Sequence, residues 1–303
     1  GIDITAIVYS KKDSGALTPT ENLQPALFAV EWALVSMLRQ WGIVPDAVLG
    51  HSVGAYAAAA TAGIYTVEDA ADLIVLRARL MGSLPAGGTM CALFADEQAA
   101  ADLCQSIEGV CIAAINSPLS TVIAGEKAAV DAVVKRAEEA DIASRILTVS
   151  HAFHSHLMMP ARTEFVRQAQ KIEAHDPQIV FVSDMTGQHL QQAPDSEYLA
   201  EHIMNPVRFA DGLEQLAALG CTDYIEIGPG SALRSFLAAS NAASDSEAHG
   251  LLTQDGSDWQ VSAKTLGRLW EKGYPVDLSS YYAGHPIQHS SIPLYPFDRV
   301  RYW

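Results

Sequence analysis

A strand, a tight turn and an alanine-rich helix meet in "DAVLGHSVGAYAAAATAG", Asp46 to Gly63, and no other stretch narrows the fold of this chain as much. Ala47-Val48-Leu49 is an apolar run of strand length. Gly50-His51-Ser52-Val53-Gly54 then forms a G-x-S-x-G pattern, and a helix-forming segment follows. In such an elbow the glycines permit a sharp turn with backbones in close approach. The serine is held exposed at a helix N-terminus, and the N–H of the next residue, Val53, faces the place where an oxyanion would form. An ordinary turn can carry the same pattern, but its place between strand and helix favours a nucleophile at Ser52. The elbow does not separate an esterase from an acyltransferase.

The rest of the chain supplies material for a sheet to carry that elbow. Of 303 residues, 49% are hydrophobic and 18% charged, enough for one large domain or a domain with an appendage and too apolar for disorder. Residues 1–20 read as irregular, with turn signals at Lys12-Asp13-Ser14-Gly15. Helical periodicity runs from near Asn22 to Gln40, with Pro25 in the first turn and Gly42 at the C-terminal end. Thr66-Val67-Glu68-Asp69 is a capping-box-like start for a helix ending near Met81. Further helices are expected at 160–172, from about Val207 and at 262–273, with strands at 178–184 and in "DYIEIGPG". Residues 240–260 read as an acidic loop, and the end of the chain as an extended, proline-containing tail.

Between them, "TMCALFA", "GVCIAAIN", "STVIAG" and "ASRILTVS" read as strands, with helices near 97–107 and 126–140. This β-α-β-β-α-β order predicts a ferredoxin-like α+β subdomain inserted into the larger one. The expected class is α/β: a mostly parallel sheet flanked by helices, a hydrolase-like core, with Ser52 at the carboxyl end of its strand. The expected boundaries are 1–88 and 151–240 for the core, 89–150 for the inserted subdomain and 241–303 for a trailing linker.

Arg77 bears on the reaction. On helix 67–81 it shares one face with Ala70, Leu73, Ile74, Leu80 and Met81. An arginine in an apolar stripe either snorkels or pairs internally, or presents a guanidinium fork that grips a carboxylate. An esterase has no use for such a group beside its serine; an enzyme moving a dicarboxylic half-thioester does. Arg79 points elsewhere and reads as a surface charge. The serine also needs a base, and "VSHAFHSHLMMP" offers His151, His154 and His156, among which spacing does not choose.

Composition excludes several classes. A net charge of −16 argues against nucleic-acid binding, which needs a basic footprint. The four cysteines form no CxxC pair and no metal-like spacing, so they read as reduced thiols of a cytoplasmic protein, with no metal site. No apolar run is long enough to span a membrane, and no signal-peptide pattern opens the chain.

"QPALFAVEWAL", "GIVPDAVLGHSVG", "LRARLM", "INSPLSTVIAG", "VSHAFHSHLM", "NPVRFADGL" and "EIGPGSAL" occur in an order that resembles the acyltransferase domains of modular polyketide synthases. These are relatives of malonyl-CoA:acyl carrier protein transacylase. The tail "GYPVDLSSYY…IPLYPFDRVRYW" looks like the linker that follows such domains. The resemblance implies that Ser52 is the acylated serine, His154 the general base and Arg77 the binder of the malonyl carboxylate. His51 matches a position lining the site, and Asn116 a polar position near the catalytic pair. In this family a backbone carbonyl orients the histidine; by alignment it falls near His202, ahead of "NPVRF". The implied reaction is ping-pong: malonyl-CoA acylates Ser52, and the phosphopantetheine thiol of an acyl carrier protein then takes the malonyl group. No resident cofactor is implied. The implied partners are the carrier protein, the neighbouring ketosynthase and other domains of the same synthase, not nucleic acid or membrane.

The resemblance also bears on the extender unit. "HAFH" goes with malonyl in this family and "YASH"-type tetrapeptides with methylmalonyl; Phe153 would fill the space an α-methyl needs. Val53 after the serine fits the malonyl group as well. One methyl is worth about 1–3 kcal/mol, which makes a preference. The chain departs from the family in two places. Nothing in it matches the family's opening strand and Gly-Gln-Gly turn, whose glutamine is a second oxyanion donor, and Ala55 stands where many relatives carry glutamate. The competing readings are another extender specificity, a serine hydrolase or editing thioesterase, and a non-catalytic docking remnant.

Overall fold

The computed structural model describes residues 5, 8, 15, 17–253, 256–284, 291, 293–301 and 303. Most of residues 1–20, including the turn expected at Lys12-Asp13-Ser14, and residues 285–290 of the tail lie outside them; within 1–20, Thr5 and Val8 are helical and not irregular as expected. Helix α1 (Thr20–Gln40) begins two residues earlier than its periodicity suggests. Pro25 therefore sits in its second turn, where the ring removes one backbone donor. Strand β1 (Ala47–Leu49) leads through the elbow into α2 (Gly54–Thr61), and α3 (Val67–Gly82) follows. Thr66 caps α3 by accepting from the Asp69 N–H at 3.1 Å.

The middle of the chain folds as β2 (Gly88–Leu93), α4 (Glu97–Cys104), β3 (Val110–Ser117), β4 (Ser120–Glu126), α5 (Lys127–Glu139) and β5 (Ser144–Ile146). Its strands lie in the order β5-β2-β4-β3 and are antiparallel throughout, the ferredoxin-like arrangement expected from their sequence order. Alternation sorts the side chains between two cores. Cys91, Leu93 and Ile123 pack with Ala100, Leu103, Val130 and Val133 of the two helices. Met90, Ala92, Val122 and Ala124 face the rest of the molecule, against Phe209 and Leu213.

A 3₁₀ turn (His156–Met158) opens α6 (Met159–Ala169); then come β6 (Val180–Val182), β7 (His189–Leu190), α7 (Ser196–Met204), β8 (Val207–Arg208) and α8 (Phe209–Ala218). The expected mostly parallel sheet is realised in small pieces among the described residues. β1 and β6 pair in parallel, with β7 antiparallel beyond them. β9 (Asp223–Ile225) and β10 (Glu247–His249) form a second parallel pair. The structure differs from the expected boundaries in two places. β8 joins the ferredoxin-like sheet in parallel beside β3, with Ala114 opposite Val207 and Ile115 opposite Arg208, so that sheet is shared with the core. Residues expected to form a linker instead build β10, α10 (Asp258–Glu271) and α11 (Leu278–Tyr281), which follow the short helix α9 (Ala232–Ala238). Leu251, Leu266, Leu269 and Tyr281 pack against Leu34, Leu38 and Trp41 of and just after α1. Apolar burial there ties residues 251–281 to the same body. No helix among the described residues is long and apolar enough to cross a membrane.

Leu266→Ala is expected to destabilise the whole domain by about 2–5 kcal/mol, the range for a buried leucine. Urea unfolding checks this: a midpoint unchanged from wild type would mean that residues 241–303 are a detached linker.

Candidate active site

The elbow is built by close packing around Gly50. A Cβ there would lie 2.2 Å from both the N and the Cα of Ala55, so the crossing of β1 over the start of α2 admits only glycine. The turn leaves Ser52 at φ +53°, in the left-handed region. A non-glycine residue held there costs on the order of 1–3 kcal/mol and persists where its surroundings enforce it. Hydrogen bonds from Gly54 N–H to His51 O and from Ala55 N–H to Ser52 O close the turn, both at 3.1 Å.

Of the three histidines considered, only His154 reaches the serine: its Nε2 lies 2.7 Å from Ser52 Oγ. His151 instead bonds the Leu84 carbonyl through Nε2, and His156 is exposed. His154 Nδ1 lies 2.9 Å from the Asn205 carbonyl. A carbonyl only accepts, so the ring proton sits on Nδ1 and Nε2 is left to take the Ser52 proton. The orienting carbonyl is thus that of Asn205, the first residue of "NPVRF", and not that of His202. One feature of the backbone explains the shift. α7 ends at Met204, so the Asn205 carbonyl is not used in a helical ladder, and Pro206-Val207 then enters β8. His202, still inside α7, turns its ring to Asp184 instead, with Nε2 at 3.0 and 3.2 Å from the two carboxylate oxygens.

His154 is 4% exposed. Burial, with the Arg77 cation and the His202 ring acting the same way, lowers its pKa to about 3, against the opposing pull of Asp184 and the Asn205 carbonyl. The imidazole is therefore neutral and proton-accepting at any physiological pH.

Arg77 is 1% exposed. Its Nη2 donates to Ser52 Oγ at 3.0 Å, its Nη1 donates to Gln24 Oε1, and its Nε has no protein partner. The guanidinium carbon stands 5.8 Å from the Tyr56 ring centre. Among the described residues no carboxylate lies within ion-pair distance of it. The Nε–Nη2 edge beside the serine has the geometry to accept a carboxylate in two parallel hydrogen bonds.

The other expected residues are placed as follows. His51 Nε2 bonds Asn116 Oδ1 at 2.8 Å, across the junction between elbow and β3, and its ring packs on Phe209. Val53 and Phe153 are half-buried and pack against the core around α2 and α3. Phe153 follows the buried Ala152 and stands 6.0 Å from the His151 ring.

Three residues around the site were missed in the sequence, each for a reason. Gln24 and Glu31 interrupt the apolar face of α1 seven residues apart, a spacing that puts both on one side of the helix. Gln24 is buried and donates to Thr20 Oγ1 at 2.7 Å while holding Arg77. Glu31 is buried behind Gly54, and burial pushes its carboxyl up to about 8. Asp184 follows β6 as the elbow follows β1. The two strands are parallel, with Leu49 opposite Val182, so both residues emerge at one edge of the sheet. The Ser52 N–H donates to Asp184 Oδ2 at 2.7 Å. Burial opposes the charge on Asp184, but the His202 ring and the Ser52 amide outweigh it and hold the carboxyl below the usual range.

The chain matches the acyl transferase domain family over residues 1–268. It is 43% identical over 295 residues to the phenolphthiocerol synthesis polyketide synthase type I Pks15/1 of Mycobacterium marinum, covering 96% of this chain and 14% of that protein. Among solved structures, it superposes on the acyltransferase domain from the second module of the salinomycin polyketide synthase with a TM-score of 0.90 and 36% identity, over 98% of this chain and 70% of that one. Against the malonyl CoA-acyl carrier protein transacylase of Clostridium perfringens the TM-score is 0.83 at 26% identity, over 90% and 86% of the two chains.

A neutral, buried His154 predicts a pH profile without a histidine break. Covalent labelling of Ser52 by a fluorophosphonate, followed by intact mass, is expected to proceed at a nearly constant rate between about pH 5 and 8, because the base stays unprotonated throughout. A tenfold fall in rate centred near the ordinary histidine pKa of about 6.5 would mean that His154 is not held in this state.

Proposed function

The chain belongs to the acyl transferase domain family, as the kind of domain that polyketide synthases carry, and we propose that it loads malonyl units from malonyl-CoA onto an acyl carrier protein through a Ser52 ester. The observation that carries the choice of substrate is Arg77: a buried cation beside the nucleophile, with no anionic partner among the described residues. Only a substrate that brings a carboxylate completes its pairing.

In this reading the free carboxylate of malonyl-CoA takes the Nε–Nη2 edge of Arg77, and the guanidinium gives up its bond to Ser52 Oγ. The substrate charge also offsets the cation that depresses His154, so the base strengthens when the correct acyl group is present. His154 Nε2 takes the Ser52 proton, Oγ attacks the thioester carbonyl, and the Val53 N–H in the first turn of α2 donates to the developing oxyanion. The collapsing tetrahedral intermediate expels coenzyme A as its thiol, with the proton returned by His154. The phosphopantetheine thiol of the carrier protein then attacks the malonyl ester by the same route in reverse. The chemistry asks for no resident cofactor; coenzyme A and phosphopantetheine belong to the substrates. An acetyl group would leave the buried guanidinium unpaired, which disfavours it by several kcal/mol, on the order of the 2–5 kcal/mol seen when one partner of a buried charge pair is lost.

Phe153 supports a preference for malonyl over methylmalonyl. Its ring is wedged between two apolar clusters next to His154, so it has little freedom to yield to an α-methyl group.

Brief mixing with malonyl-, methylmalonyl- and acetyl-CoA in competition, read by intact mass, tests the proposal. A malonyl adduct is expected on wild type and none on Ser52→Ala; no adduct on folded wild type, with free malonate accumulating, would mean a hydrolase. Arg77→Ala is expected to slow malonyl loading at least about 10²-fold and to shift the competition toward acetyl. Phe153→Ala should raise methylmalonyl loading relative to malonyl by about 10-fold or more, the value of one methyl in a closed pocket. An unchanged ratio would remove Phe153 from extender selection.

A further inference from the structure

Behind the elbow lies a buried polar cluster that the transfer itself does not use. Asp184 is 1% exposed and His202 3%. Asp184 Oδ2 accepts the Ser52 N–H at 2.7 Å, and His202 Nε2 donates to the same carboxylate at 3.0 Å. The backbone of Asp184 is fixed as well, since its carbonyl accepts the Arg208 N–H from β8 at 2.5 Å. Beside the pair is a cavity of about 20 Å³, lined by Ala55, Tyr56, Asp184, Tyr198, Leu199 and His202. His202 Nδ1 and the Tyr56 hydroxyl, both from residues lining it, have no protein partner. The rest of that lining, with Ala59, Tyr65, Phe181 and Pro194, is almost wholly apolar.

We propose that Asp184 and His202 are positioning residues for acyl transfer: Asp184 fixes the strained Ser52 through its amide, and His202 fixes Asp184.

The physical case rests on the Ser52 backbone. A serine at φ +53° needs something to hold it there, and its N–H, in a turn ahead of α2, is not used in the helix. A carboxylate at that point accepts the N–H and lies at the positive end of α2. The peptide plane that Asp184 steadies sets both the Ser52 Oγ and, one residue on, the Val53 N–H. Loosening it moves nucleophile and oxyanion donor together. The carboxylate-binding edge of Arg77 is on α3 and is not held by Asp184. Loss of the pair therefore lowers the rate of transfer and leaves substrate affinity in place, whereas a purely structural pair would act on stability alone.

The inference rests on the reading of Ser52 as the acylated nucleophile. Its test is single-turnover acylation by malonyl-CoA, with thermal midpoints recorded in parallel. Asp184→Ala is expected to lower the limiting rate about 10²-fold, the scale for a reacting group misplaced by 1 Å, with half-saturation within about 3-fold of wild type. Asp184→Asn keeps an acceptor for the Ser52 N–H and should recover to within about 10-fold of wild type. His202→Gln should be slowed, and the Asp184→Ala/His202→Gln double variant should be no slower than Asp184→Ala alone, because the two act as one unit. Asp184→Ala at the wild-type rate, or a loss confined to half-saturation, would overturn the proposal. If Asp184→Ala does not fold, His202→Gln at the wild-type rate overturns it instead. Should wild type itself resist malonyl-CoA, the substrate reading has failed and not this one, and the same variants are compared by their rate of fluorophosphonate labelling.

Discussion

A guanidinium buried without a counter-ion sets the terms for everything around it. Burial of an uncompensated charge is opposed by several kcal/mol, and Arg77 is 1% exposed with no carboxylate in reach among the described residues. What holds it is a set of partial compensations: the Gln24 carbonyl, the Ser52 hydroxyl and the face of the Tyr56 ring. Burial keeps His154 unprotonated, the Arg77 cation adds to that effect, and Asp184 opposes it. The site is thus a place where a cation, a neutral base and a hydroxyl share hydrogen bonds. A ligand anion relieves that deficit at the point where the hydroxyl becomes nucleophilic.

The fold supplies this arrangement by bringing parallel strand ends to one edge. β1 delivers Ser52 and β6 delivers Asp184; the β3–β8 pairing sets Asn116 and Asn205 on the facing side. His154 is carried by a loop between the two lobes, itself at φ +56°, and is fixed by contacts to both: Asn205 O on one side and, through its own carbonyl, the Cys111 thiol of β3 at 3.6 Å on the other. Neither lobe holds the base alone.

Much of this was legible in the sequence because it depends on local pattern. G-x-S-x-G between a strand and a helix marked Ser52, and an arginine in the apolar stripe of α3 marked Arg77. Strand order alone carried the ferredoxin-like lobe. What escaped depends on pairing between distant segments. That Asn205 and not His202 orients the histidine follows from where α7 stops, and helix ends are the least certain feature of periodicity. Asp184 becomes visible only once β6 is known to lie beside β1. The packing of residues 251–281 on α1 was hidden because a short strand and an amphipathic helix after a loop look the same whether they dock or trail.

The two residues of β8 give this architecture an unexpected indivisibility. They are the last strand of the ferredoxin-like sheet, yet they lie some sixty residues beyond β5, its fourth strand in the chain, and begin two residues after Asn205, whose carbonyl aims the base. A chimaera that exchanges residues 89–150 as a cassette would thus import a sheet whose edge must still zip onto a foreign β8. Its register there would decide where Asn205 points. The unit that such an exchange has to move together is discontinuous: the inserted lobe with the short segment around Asn205–Arg208.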